Sequence, residues 1–258
     1  MASNYSSYTP SCVFITGATG GFGKAFVERF DQDGTKLIIH GRNQEKLEEL
    51  SQAIQCDHHL VCFDLADKAA IEKSLSSLPK NFQDIDLLIN NAGGALGLDK
   101  FHEADMADLL SMIDMNNKSL IQITRLVMPM MVKNKKGHVI NIGSIAGNWP
   151  YPGGHVYCAV KSFVKQFSLA LRADLEGTNI RVTNIEPGMA ETPFSVNRFK
   201  GDEKKAEAVY AKTTPLTADD IAESVYWSAC LPAHVNINSI ELMPTQQSFA
   251  ALKVERNG

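Results

Sequence analysis

Val13-Phe14-Ile15-Thr16-Gly17-Ala18-Thr19-Gly20-Gly21-Phe22-Gly23 is the stretch on which the fold turns. It opens as a short β-rich apolar run and passes through a glycine turn into a helix with apolar residues at Phe22, Phe26, Val27 and Phe30. Strand, glycine turn and helix in that order begin a βαβ unit. Glycines at such a turn let backbone N–H groups at the helix N-terminus approach a pyrophosphate. The spacing is T-G-x-x-x-G-x-G rather than G-x-G-x-x-G. The strand before it and the helix after it raise it above an ordinary glycine turn. Gly17, Ala18, Thr19, Gly21 and Phe22 are therefore candidates for the phosphate end of a dinucleotide site.

Outward from this stretch, short apolar runs alternate with segments of helical period. Strands are expected at Val13–Thr16, Leu37–His40, Leu60–Phe63, Leu87–Asn90, His138–Ile142, Val182–Ile185 and Ser239–Leu242. That alternation predicts an α/β fold, a Rossmann-type doubly wound parallel sheet. No Pro, Gly and Ser linker divides the chain, so residues 12–258 are expected to form a single domain, with residues 1–11 a flexible polar lead. After Gly154, apolar residues at Val156, Val160, Phe163, Val164, Phe167, Ala170, Leu171 and Leu175 give a helix an unusually wide apolar face, which points to an oligomer contact.

Composition excludes several classes. Hydrophobic residues make 44% and charged residues 21%, which fits a globular protein and neither a disordered nor a fibrous one. The 25 Lys and Arg are scattered among 29 Asp and Glu, so no basic face for nucleic acid is expected. Cys12, Cys56, Cys62, Cys158 and Cys230 are far apart and form no C-x-x-C pair, which fits a reducing, cytoplasmic setting. The N-terminus has no signal-peptide pattern and no apolar stretch is long enough to span a membrane. His58-His59 has no third ligand at metal spacing, so no metal is expected.

The end of the second strand discriminates between dinucleotides, because a carboxylate there would hold a ribose 2′-hydroxyl and repel a 2′-phosphate. The sequence reads His40-Gly41-Arg42-Asn43, with no carboxylate and with a guanidinium suited to phosphate. NADP is the expected cofactor. The other strand ends carry Asp64-Leu65, Asn90-Asn91-Ala92-Gly93 and Ser144, all bordering the crevice where an open parallel sheet binds ligands. Tyr157 and Lys161, four residues apart, share one helix face. Moving a hydride to or from an alcohol carbon requires a proton to leave or return at the oxygen. A free tyrosine titrates near 10, so bringing the Tyr157 pKa to roughly 7 needs about 4 kcal/mol from nearby cations. Ser144 can steady the charge that develops on the substrate oxygen.

With these residues in order, the chain resembles the short-chain dehydrogenases/reductases. TGATGGFG, NNAG, Ser144, YCAVK and Pro187-Gly188-Met189-Ala190-Glu191-Thr192 match that family's motifs, and the likeness runs from Val13 to the last strand. The resemblance implies Tyr157 as general acid/base, Lys161 lowering its pKa and holding the nicotinamide ribose, and Ser144 orienting substrate. It implies Asn116, with Asn117 as the alternative, holding a helix and a relay water. Asn91, Gly93, Pro187, Gly188 and Thr192 join the cofactor contacts, and a homotetramer is the implied assembly. Asn141–Tyr151, Arg198–Asp202 and Leu231–Asn238 further resemble the NADP-dependent 3-hydroxy acid dehydrogenases, although the loop Met189–Asn197 is shorter here. A small 3-hydroxy acid substrate follows, whose carboxylate Arg198 or Lys200 would reach when the loop closes. The same residues could instead serve a carbonyl reductase for another polar or bulkier ketone, or a non-catalytic NADP-binding sensor.

Overall fold

A computed structural model describes residues 7–32 and 34–249. Seven parallel strands form one sheet: β1 (Cys12–Ile15), β2 (Lys36–Gly41), β3 (Asp57–Cys62), β4 (Leu87–Asn90), β5 (Gly137–Ile142), β6 (Ile180–Pro187) and β7 (Ser239–Leu242). Their order is β3-β2-β1-β4-β5-β6-β7, so the chain winds outward from β1, returns beside it at β4 and winds the other way. The crevice between β1 and β4 is the topological switch point, where such sheets bind ligands.

Helices cover both faces: α1 (Gly21–Phe30), α2 (Gln44–Ser51), α3 (Lys68–Ser76), α4 (Met106–Ile113), α5 (Ser119–Asn134), α6 (His155–Asp174), α7 (Phe194–Arg198), α8 (Glu203–Tyr210) and α9 (Ala218–Ala229). Successive strand side chains point to opposite faces, so each strand feeds two cores. Val13, Ile15, Leu37, Ile39, Leu87 and Ile89 pack with Phe26, Phe30, Leu47 and Val225 on one side. Phe14, Ile38, Leu88 and Val139 pack with Ile71, Ile123, Val127 and Leu175 on the other. The single-domain α/β architecture is as expected.

Strand bounds depart from expectation for physical reasons. Thr16 falls just past β1: its N–H still donates to Ile89 O at 3.1 Å, while its side chain serves the switch point. β3 begins at Asp57, since an edge strand tolerates the polar residues Asp57, His58 and His59 that mask its pattern. β6 runs from Ile180 because its buried polar residues are satisfied: Arg181 donates to the carbonyls of Ser228 and Ala229 at the end of α9 at 3.1 and 2.7 Å. Of the polar lead, residues 1–6 lie outside the described residues. Tyr8 and Ser11 are tied to the sheet, their hydroxyls donating to Asp86 Oδ2 at 2.8 and 2.7 Å. Among the described residues, no helix is long and apolar enough to cross a membrane.

Candidate active site

The site assembles from the switch point outward. Thr16 Oγ1 accepts from the backbone N–H groups of Asn91 and Ala92, both at 3.0 Å, and Asn91 Nδ2 donates back to the carbonyls of Thr16 and Gly17 at 2.9 and 3.1 Å. The turns after β1 and β4 are therefore one unit. Gly17 takes φ +65°, a conformation that disfavours a side chain, and Ala18 N donates to His40 O at 2.8 Å. Thr19 lies against Gly41. The N–H groups of Gly21, Phe22 and Gly23 precede the first bond of α1, from Lys24 N to Gly20 O, and remain available to a ligand.

On the flank of this turn, Arg42 is exposed at the exit of β2 and forms no ion pair among the described residues. Beyond β3, Asp64 Oδ1 accepts from Ala66 N at 2.9 Å, while Leu65 packs on the second core. The segment after β6 closes the opposite flank. Gly188 N donates to Leu242 O at 2.7 Å, and Glu191 N to Leu216 O at 2.8 Å, which places Pro187, Gly188 and Thr192 at the crevice. Thr192 sits so near Gly21 that a methyl group there would come within 2.7 Å of Thr192 Cβ.

The chemical end lies between β5, α6 and α7. Ser144 caps the short 3-10 turn Ile145–Gly147, its Oγ accepting from Ala146 N at 3.1 Å. Tyr157, in the first turn of α6, is 8% exposed, with its ring 5.8 Å from that of Phe194. Burial, followed by neighbouring Tyr151, pushes the Tyr157 phenol above its ordinary pKa, while the Ser144 hydroxyl and the Arg198 guanidinium pull the other way. Lys161 Nζ donates to Ile142 O at 2.9 Å and lies 5.8 Å from the Tyr157 ring centroid. Burial draws its own pKa down to about 8.

The adjoining asparagines divide. Asn116 and Asn117 stand in a π-helical turn, Asp114–Lys118, between α4 and α5. Asn116 Nδ2 donates to Met112 O at 2.8 Å and Gly94 O at 2.9 Å, and its Oδ1 lies against Gly93. Asn117 Nδ2 donates instead to Val160 O at 3.0 Å, tying the turn to α6. Asn116 therefore faces the crevice and Asn117 the helix behind it.

Arg198 and Lys200 also part ways. Arg198 Nε donates to Gly97 O and Nη1 to Tyr151 Oη, both at 3.0 Å, and its guanidinium carbon lies 5.6 Å from the Tyr157 ring centroid. Its Nη2 is buried with no partner among the described residues. Lys200 Nζ pairs with Asp108 on α4 at 2.7 Å, away from Tyr157. Tyr151 and Phe194 complete the cover over Tyr157. The Arg198 contacts that hold this cover have no local signal, because Arg198 lies 47 residues from Tyr151 and 101 from Gly97.

A switch-point crevice with a glycine turn on one flank and a Ser, Tyr and Lys face on the other defines the dinucleotide-linked α/β oxidoreductases as a class. The short chain dehydrogenase family model matches residues 11–203, and the chain belongs to that family. It is 53% identical over 245 residues to the NADP-dependent 3-hydroxy acid dehydrogenase of Escherichia coli strain K12, covering 95% of this chain and 99% of that protein. It is 46% identical over 250 residues to sulfoacetaldehyde reductase 2 of Chromohalobacter salexigens, covering 95% and 98%. A solved serine dehydrogenase in its closed form, complexed with NADP+, is similar at TM-score 0.93 and 52% identity, covering 95% of this chain and 100% of that one.

Proposed function

We propose that this chain is an NADP-dependent oxidoreductase interconverting small 3-hydroxy acids, of the serine, L-allo-threonine and 3-hydroxypropionate type, with their 3-oxo acids or semialdehydes. The observation that carries it is the buried, unpartnered Nη2 of Arg198 beside Tyr157. A buried guanidinium N–H without an acceptor is costly, and a substrate carboxylate would satisfy it. The relatives' named substrates are small and acidic, which fits an anion held at that position.

The crevice suits the cofactor. The N–H groups of Gly21, Phe22 and Gly23 would receive the pyrophosphate, Arg42 the 2′-phosphate, and Asp64 and Leu65 the adenine end. When bound, NADP supplies or accepts the hydride at its nicotinamide ring. Tyr157 Oη gives the substrate oxygen its proton in reduction and takes it in oxidation, while Ser144 Oγ hydrogen-bonds the same oxygen. Lys161, fixed by Ile142 O, would hold the nicotinamide ribose with its ammonium. Asn116 holds the turn at Gly94 so that this side of the crevice keeps its shape. Phe194 and Tyr151 exclude water from the reacting oxygen.

The test is a kinetic panel of 3-hydroxy acids, malonic semialdehyde, a sulfonate analogue and neutral ketones, each with NADP(H) and NAD(H). The expected result is turnover of the carboxylates with NADP(H). Arg198→Ala should raise their KM by roughly tenfold to a hundredfold, the worth of a charged hydrogen bond, and leave NADP binding intact. Turnover of neutral ketones alone would favour the carbonyl reductase, and NADP binding without turnover the sensor. A cytoplasmic homotetramer belongs to the same proposal, supported by the free cysteines and by exposed Leu110, Ile113, Ile121 and Phe163 on α4, α5 and α6. Light scattering in solution should read four chain masses.

A further inference from the structure

His40, at the end of β2, is 2% exposed, yet both its ring nitrogens are engaged. Nδ1 lies 3.2 Å from the backbone nitrogen of Gly17, and Nε2 lies 3.1 Å from the carbonyl oxygen of Phe63. An amide N–H can only donate and a carbonyl can only accept. The imidazole is therefore neutral, with Nδ1 the acceptor and Nε2–H the donor. Burial keeps it so, drawing its pKa down to about 4 against the Phe63 carbonyl and the facing carboxylate of Asp64. The ring also stacks on Phe63, with centroids 4.1 Å apart.

Its two partners belong to different walls of the crevice. Gly17 leads the glycine turn and takes the φ of +65° that aims the following amides. Phe63 immediately precedes Asp64-Leu65 at the exit of β3. We infer that His40 is a positioning residue for the dinucleotide, clamping the phosphate-facing turn to the adenine-facing exit of β3 and so setting cofactor affinity rather than the rate of chemistry. This rests on the NADP reading above. An apolar residue of similar size would leave Gly17 N–H and Phe63 C=O buried without partners, loosening both walls together.

Three variants separate the two bonds. Asn at position 40 carries an acceptor at the level of Nδ1 but falls short of Phe63. Gln carries a donor at the level of Nε2 and loses the Gly17 acceptor, and Leu loses both. The measurements are NADPH affinity by fluorescence titration, amide exchange at Gly17 in the cofactor-free chain, and kcat and KM at saturating cofactor. His40→Leu should weaken NADPH binding roughly tenfold, the worth of one orphaned buried donor, with kcat and the acid's KM unchanged. His40→Asn should recover most of that affinity and keep Gly17 protected, whereas His40→Gln should expose it. Where His40→Leu fails to fold, the Asn and Gln pair carries the comparison. Unchanged affinity, equal losses in all three variants, or a fall in kcat alone would overturn the inference. A wild-type chain that binds no NADPH would overturn the cofactor reading as well, and the Gly17 exchange data would still report whether His40 holds the turn.

Discussion

Lys161 shows how a single side chain can be placed against its own stability. It is 7% exposed, its ammonium has the Ile142 carbonyl as a partner at 2.9 Å, and burial draws its pKa from 10.5 to about 8. The unfolded chain keeps its proton up to the higher value, so below pH 8 the folded state holds a charge that it disfavours by about 3 kcal/mol. Replacing Lys161 by Met removes that penalty and forfeits one hydrogen bond worth about 1 kcal/mol. Lys161→Met should therefore lose activity while becoming about 2 kcal/mol more stable at pH 7. The gain should fade as pH rises from 8 toward 10.5, where wild type also becomes neutral. Urea unfolding of both proteins across that range checks it, and a variant less stable at pH 7 would contradict it. The Tyr157–Lys161 pairing is legible in sequence because four residues make one helical turn. What the pairing leaves out is burial, which raises the Tyr157 pKa and to which Phe194, far along the chain, contributes its ring.

At the scale of elements, the turn after β1 and the segment after β6 behave as two jaws that touch at Gly21 and Thr192. The segment's far end is latched by Arg198 to Gly97 and Tyr151, and its near end by Tyr210 Oη to Ala190 O at 3.0 Å. A methyl group at Gly21 would lie 2.7 Å from Thr192 Cβ, too close for both to stay. Gly21→Ala should therefore displace residues 192–198, raise KM for both NADP and the acid, and speed amide exchange at Phe194–Arg198 while the sheet stays protected. Unchanged exchange there would mean that the jaws do not depend on each other. The glycine turn was legible because its signal is local, strand then glycines then helix. The latch was not, because it forms between loops whose residues have no shared period or spacing. The same reason explains the split between Arg198 and Lys200. Two residues apart, they are alike as cations, and only the position of Asp108 on α4 sends Lys200 elsewhere.

For the molecule as a whole, two helical layers clamp a sheet whose inner strands are buried on both faces, and this is why apolar runs announced the doubly wound fold. The polar residues inside those strands were invisible to that pattern, and they set how the fold responds to acid. His40 on β2 and His138 on β5 are both buried, and burial lowers the pKa of each, with Arg181 adding to the effect at His138. His138 keeps Thr183 Oγ1 at 2.7 Å from Nε2. A histidine whose folded pKa is depressed gives full stability above its unfolded value of 6.5 and loses it as pH falls toward the folded value. For His40 that window runs from 6.5 to about 4 and is worth about 3 kcal/mol. Asp86 extends the loss further down. Burial opposes its ionisation, but the Lys136 ammonium and the donors of Cys12 and Ser11 outweigh it and hold its carboxyl below the ordinary range. Urea midpoints should therefore fall steadily between pH 6.5 and 4. His40→Asn, which cannot take up a proton, should flatten that slope by up to about 1.4 kcal/mol per pH unit, the share of one titrating group. An identical slope in the two proteins would place the acid sensitivity in His138 and the carboxylates and leave His40 without a part in it.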